Sequence, residues 1–179
     1  MKHKNLILSI CLVAMIFSVI YLISCQTVAQ EATQTPATTP ATWTTGENVV
    51  DYSLIVDGLV RTPLELTYQS ILQYPAVSET LFLSCPGVLE ETRQWTGVPL
   101  KVLLAEVSPE PGATRIIFYA TDGYCQALSL EEAQRDGVFL AYQVDGKTLS
   151  FDDGYPLRLV VKGADGPLWV RWIVRIEVV

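Results

Sequence analysis

The chain has 179 residues, room for one domain or two small ones, and carries 12 basic against 19 acidic side chains for a net charge of −7. That acidic balance excludes a nucleic-acid partner, which needs a basic face to displace phosphate counterions. Half of the residues are hydrophobic, mean hydropathy is +0.31, and the sole histidine is His3; a domain that loses its N-terminus has no histidine for a Ser-His-Asp triad, a zinc site or haem ligation.

Residues 6–24 carry no charge and follow Lys2 and Lys4. As a helix, such a run spans roughly 28 Å, close to the thickness of a bilayer's hydrocarbon core. The positive flank stays on the cytoplasmic side, so the remainder of the chain is exported. Leu22-Ile23-Ser24-Cys25 resembles the lipobox of bacterial lipoproteins, in which a small residue precedes an acylated cysteine. The resemblance implies a signal peptide over 1–24, cleavage before Cys25 and a lipid on that cysteine; an uncleaved signal anchor is the alternative. Either way the working domain is extracytoplasmic and membrane-tethered. Residues 25–48 are rich in Thr, Ala, Gln and Pro, too poor in apolar bulk to offset their ordering entropy, and read as a linker. Without residues 1–24 the chain has 10 basic and 19 acidic residues, net −9. The folded domain is expected over 49–179, long enough for a core without staples.

Within that domain, Leu54-Ile55-Val56 and Val60 flank Asp57-Gly58, a pair that favours a tight hairpin. Thr67 caps a short helix that stops before Pro75, and Ser78–Leu83 alternates as a strand delivering Cys85 at its end. Pro99 suits the first turn of a helix to about Glu106. Arg115–Tyr119 reads as a strand, followed by a turn at Asp122-Gly123. Ser129 with Glu132 makes a capping box. Val138–Tyr142 with Asp145-Gly146 repeats the strand-and-turn signal, Leu157–Val161 is a buried strand, and Trp169–Val179 is a last, alternating one. In it Arg171, Arg175 and Glu177 share one face. About seven strands and three short helices describe an α+β domain.

The run Leu83-Ser84-Cys85, then Trp95-Thr96-Gly97-Val98-Pro99-Leu100, then Asp122-Gly123-Tyr124, resembles the sulfite oxidase-type molybdopterin-binding domain. So do Gly154-Tyr155-Pro156-Leu157-Arg158-Leu159-Val160-Val161 and Trp172-Ile173-Val174-Arg175-Ile176-Glu177, so the match runs in order through most of 50–179. The resemblance implies a mixed, mostly antiparallel barrel-like sheet with short helices. It also implies a molybdenum–molybdopterin cofactor for oxygen-atom transfer on a small S-oxide, N-oxide or sulfite-like substrate, with a separate electron-transfer partner. Cys85 stands where the family has its molybdenum ligand, and a thiolate suits a metal already held by sulfur. Read from the residues alone, Cys85 is a small buried hydrophobe, half of a disulfide with Cys125, or a ligand. Arg158 matches the family's phosphate-binding arginine, a role its planar fork fits; Lys162 and Arg171 are further candidate anion contacts. Arg93 reads as a solvated loop charge, the alternative being that it faces a sulfur-oxide substrate; Asp152-Asp153 and Glu90-Glu91 read as solvated loop charges, with paired acid/base work the alternative, and Trp95, Trp169 and Trp172 as core or pocket wall. Pro86, Leu168 and the missing histidines depart from the family's pattern. They leave open a second function, a cofactor-free domain of the same fold serving as an extracytoplasmic binding or assembly module.

Overall fold

The computed structural model describes residues 52–85 and 89–179, apart from the side chains of Cys85 and Leu89. The signal peptide expected over 1–24, the lipidation site Cys25, the linker over 25–48 and the first residues of the domain lie outside the described residues. In chain order the described elements are β1 (Ser53–Gly58), β2 (Leu64–Thr67), α1 (Tyr68–Ile71), β3 (Val77–Cys85), β4 (Leu89–Pro99), α2 (Leu100–Val107), β5 (Arg115–Ala120) and β6 (Cys125–Ser129). They continue with α3 (Leu130–Ala133), β7 (Val138–Val144), β8 (Lys147–Thr148), β9 (Arg158–Val161), a 3-10 turn (Gly166–Leu168) and β10 (Ile173–Val178).

The strands form two five-stranded sheets, not a closed barrel. One runs β2-β1-β10-β5-β6, with β1 and β10 parallel and the other neighbours antiparallel. The other runs β3-β4-β7-β8 and is wholly antiparallel; β9 pairs with β7 alongside β8. The mixed, mostly antiparallel sheet architecture with short helices is therefore the one expected. The hydrophobic core includes Trp95, Phe118, Phe139, Leu54, Leu140 and Ile176, all fully buried. Burial of each such side chain contributes about 1.5–3 kcal/mol.

Local signals account for the short helices. Thr67 Oγ1 accepts from Ser70 N to start α1, and Ser129 and Glu132 exchange side-chain and backbone hydrogen bonds to start α3. Asp145 and Gly146 both take positive φ, the turn that matches the twist of the flanking strands β7 and β8. Two expectations shift. The β1–β2 connection does not turn at Asp57-Gly58, because Asp57 and Gly58 remain paired with Glu177 and Val178 of β10. The last strand begins at Ile173 instead of Trp169: Gly166–Leu168 forms the 3-10 turn, and Trp172 takes a φ of 57°, which breaks extended geometry.

Candidate functional site

The ends of several elements converge on a cavity of about 730 Å3. From the β3–β4 pair come Leu83, Glu91 and Arg93; from the β5–β6 turn, Asp122 and Tyr124. The β8–β9 turn supplies Asp152 and Asp153, β9 supplies Arg158, and the segment before β10 supplies Trp169, Arg171 and Trp172. Three guanidiniums and four carboxylates thus face one space.

Arg158 is the buried member, 8% exposed within the apolar strand β9. Its guanidinium carbon lies 5.0 Å from the Trp95 ring centre and 5.6 Å from that of Trp169, and those two rings meet edge-on at 5.6 Å. Such aromatic faces attract a cation through their quadrupoles. Arg158 Nη1 also donates to Asp153 O at 3.1 Å. The two neighbouring carbonyls in the turn act alike: Asp152 O accepts from Arg171 Nη1 at 3.1 Å and Phe151 O from Trp172 Nε1 at 2.8 Å. Three consecutive carbonyls therefore set the spacing of three cavity side chains.

Turn and wall are interlocked. Trp172 N donates to Gly154 O at 3.3 Å, Thr121 N donates to Trp172 O at 3.1 Å, and the Trp172 ring stacks on Phe151 at 5.0 Å. The Arg171 guanidinium lies over the same ring at 4.4 Å. Gly154 has a φ of 106°, and a Cβ there would come within 2.9 Å of Arg171 Cβ and Cγ, so this contact needs glycine. A bulky residue held at positive φ by this many contacts is strain of the kind found at functional sites.

Arg93 is bound more tightly than a loop charge. Its Nε donates to Asp145 Oδ2 at 2.9 Å and its Nη1 to Asp153 Oδ1 at 2.6 Å, with Glu91 Oε1 at 3.7 Å. Burial works against the Arg93 charge, but the hydrogen bonds to Asp145 and Asp153 outweigh it and hold the pKa above its ordinary value. Burial likewise pushes the Asp153 carboxyl up, while hydrogen bonds from Ser150 and Arg93 outweigh it and leave the group below the usual carboxylate range. The reading of Asp152 as solvated holds, since it is exposed; Asp153 is part-buried and engaged. The local signal for Asp153 is Ser150-x-x-Asp153: Ser150 Oγ donates to its carboxylate at 2.6 Å and accepts from its N–H at 3.1 Å.

Of the residues singled out from the sequence, Arg158 and Arg171 come together in the cavity wall. Lys162 does not join them; it follows the far end of β9 and pairs with Glu79 at 2.9 Å. Four residues of strand separate it from Arg158 by roughly 13 Å. The ligand role of Cys85 concerns a side chain outside the described residues, although β3 carries its backbone to the cavity end beyond Leu83. Cys125 is disulfide-bonded, and the chain's other cysteines, Cys11, Cys25 and Cys85, have side chains outside the described residues. Among the described residues no cluster of three or more His, Cys, Asp or Glu is arranged to hold a bare metal ion. A metal that brings its own sulfur ligands asks for less.

A family model described as the oxidoreductase molybdopterin binding domain matches residues 41–179. The chain is 32% identical over 167 residues to the protein-methionine-sulfoxide reductase catalytic subunit MsrP of Gluconobacter oxydans, covering 83% of this chain and 51% of that protein. It is 27% identical over 169 residues to sulfite oxidase of Arabidopsis thaliana, covering 74% of this chain and 43% of that one. Among solved structures, the sulfane dehydrogenase SoxCD from Paracoccus pantotrophus superposes with a TM-score of 0.67 at 31% identity, covering 72% of this chain and 38% of that chain. The chain therefore spans about half, or less, of the length of these relatives.

Proposed function

Because the chain belongs to the oxidoreductase molybdopterin-binding domain family, we propose that it acts outside the cytoplasm as a lipid-anchored, molybdopterin-dependent oxidoreductase. It would transfer an oxygen atom to or from a small S-oxide, N-oxide or sulfite-like substrate and exchange electrons with a separate partner. The observation that carries this reading is the cavity of about 730 Å3, with a buried arginine in its wall and the Cys85-bearing strand at its edge.

The residues present fit the cofactor. The volume lies within the range of small-molecule and cofactor sites. Arg158 and Arg171 present guanidinium groups suited to a phosphate end, each oriented by a hydrogen bond donated to a carbonyl. Cys85 would supply the thiolate, a soft donor to molybdenum. When bound, the cofactor supplies the two-electron oxygen-atom chemistry. The chain's own contribution is to orient it: Trp95 and Trp169 fix the plane of Arg158, the 151–153 carbonyls fix the reach of the cavity side chains, and Trp172, stacked on Phe151, forms part of the wall. Export and anchoring rest on the apolar run over 6–24 and the Leu22–Cys25 tetrad.

The test is metal content. Full-length protein from a host that makes the cofactor should hold molybdenum and pterin near one per chain, lost in Cys85→Ser and retained in Cys125→Ser. Because Cys125 is disulfide-bonded and Cys85 is one of three cysteines able to partner it, loading is measured with and without reductant. Wild-type protein free of molybdenum under both conditions would overturn the reading. Anchoring is read separately, as incorporation of labelled fatty acid that Cys25→Ser abolishes.

A further inference from the structure

The carboxylates of the cavity narrow its substrate. Arg93 is the one guanidinium of the wall whose described hydrogen-bond and ion-pair partners are all acidic: Asp145 at 2.9 Å, Asp153 at 2.6 Å and Glu91 at 3.7 Å. Neither close partner is a chance contact. Asp145 is fixed by Gln94 N, which donates to its Oδ1 at 3.0 Å, and Asp153 by the Ser150 hydroxyl at 2.6 Å. An oxyanion approaching Arg93 meets a guanidinium already flanked by three carboxylates, two of which the chain holds in place from behind. Glu91, Asp122 and Asp152 also line the space and add like-charge repulsion. An uncharged oxide meets neither obstacle, and the stacked Trp172–Phe151 pair offers apolar surface for an organic substituent.

We propose that Asp145 and Asp153 act as a charge filter, withholding Arg93 from anions so that the site takes an uncharged organic S-oxide or N-oxide and rejects sulfite- or nitrate-like oxyanions. The proposal rests on the oxygen-atom-transfer reading above and narrows it. Asp153 and Asp145 are specificity-determining residues acting through Arg93.

The experiment uses sulfate, an inert oxyanion, titrated calorimetrically into the full-length protein at constant ionic strength, cofactor-loaded and cofactor-free. Asp153→Asn keeps the side-chain shape and the backbone carbonyl that Arg158 uses, yet removes one charge from Arg93. Asp145→Asn is the second variant; its φ of 50° is a conformation asparagine tolerates. Each should bind sulfate roughly ten-fold more tightly than wild type, the effect of unmasking one partly exposed ion pair. In an Arg93→Gln background the increment should vanish, because sulfate held by Arg158 or Arg171 is common to all forms. Folded variants whose sulfate affinity stays within about two-fold of wild type, or an increment that survives Arg93→Gln, would overturn the filter. Since the titration needs no molybdenum, a metal-free protein would sink the oxygen-transfer reading while the sulfate result still decided this one.

Discussion

Substituting Gly97 by alanine tests how the sheet positions the buried arginine. Gly97 of β4 faces Ala141 of β7, and Ala141 faces Arg158 of β9, so the three residues form one rung across the sheet. A Cβ on Gly97 would overlap Leu140 O and lie 2.6 Å from both Leu140 C and Ala141 Cα. These are backbone atoms of a central strand, and no rotamer relieves the overlap. Overpacking against rigid surroundings costs about 1–3 kcal/mol. Prising β4 from β7 at this rung forfeits on the order of two ladder hydrogen bonds, about 1 kcal/mol each. The stiffer unfolded chain returns roughly 0.4–1 kcal/mol. The net is about 3 kcal/mol, which for a domain of about 130 residues lowers the melting temperature by roughly 11 °C. Calorimetry reads that shift, and molybdenum content should fall with it as the Trp95–Arg158 stack loosens. Gly112→Ala is the control: its φ is 112° but nothing lies within 4 Å of its Cβ position, so it should cost only about 1 kcal/mol of backbone strain. A Gly97→Ala protein that melts no lower than Gly112→Ala would refute the close-approach argument.

Arg158→Lys keeps the charge but loses the fork that donates to Asp153 O and the flat face over Trp95. Cofactor content should drop several-fold while the protein stays folded, destabilised by about 1–2 kcal/mol in urea titration; full loading would remove Arg158 from the site. The second expectation concerns acid. Asp153 and Asp145 both have carboxyls held below their ordinary range, so the stability they lend is complete above the unfolded value near about 4 and is lost as pH falls through the folded values. The gap in urea midpoint between wild type and Asp153→Asn should therefore be widest at neutral pH and close on acidification, and a gap that stays constant would show that the pair contributes nothing through charge.

How much of this was legible depended on how local the signal was. Thr67, Ser129 with Glu132, and Asp145-Gly146 state their structures within four residues, because a cap or a two-residue turn is satisfied by its own neighbours. Strand β4 was not expected as a strand, and the reason lies in the site. Glu91, Arg93 and Trp95 share one face, with Trp95 fully buried and both charges part-buried in the cavity wall. Charged residues at inward positions break the alternation by which a half-buried strand is recognised. The opposite holds before β10. The run from Trp169 to Val174 alternates well enough to pass for strand, but Gly154 O, Phe151 O and Thr121 N, all distant in sequence, hold Trp172 at positive φ and turn Arg171 into the cavity. Arg158 was placed by its Gly-x-Pro-x-Arg setting, since burial inside an apolar strand gives no hint of a cation's role.

A chain that carries net charge −7 cannot attract an anionic ligand through its overall field, so the field must be local. The structure divides the cavity accordingly. On one side Arg158 lies between two tryptophans and donates to a carbonyl, and Arg171 donates to the next carbonyl along. On the other side Arg93 is held among Asp145, Asp153 and Glu91. One residue joins the halves: Asp153 offers its carbonyl to Arg158 and its carboxylate to Arg93. On the reading proposed above, the same turn orients one arginine toward a phosphate and withholds another from anions, which would confine the anion site of an acidic protein to one wall of its cavity.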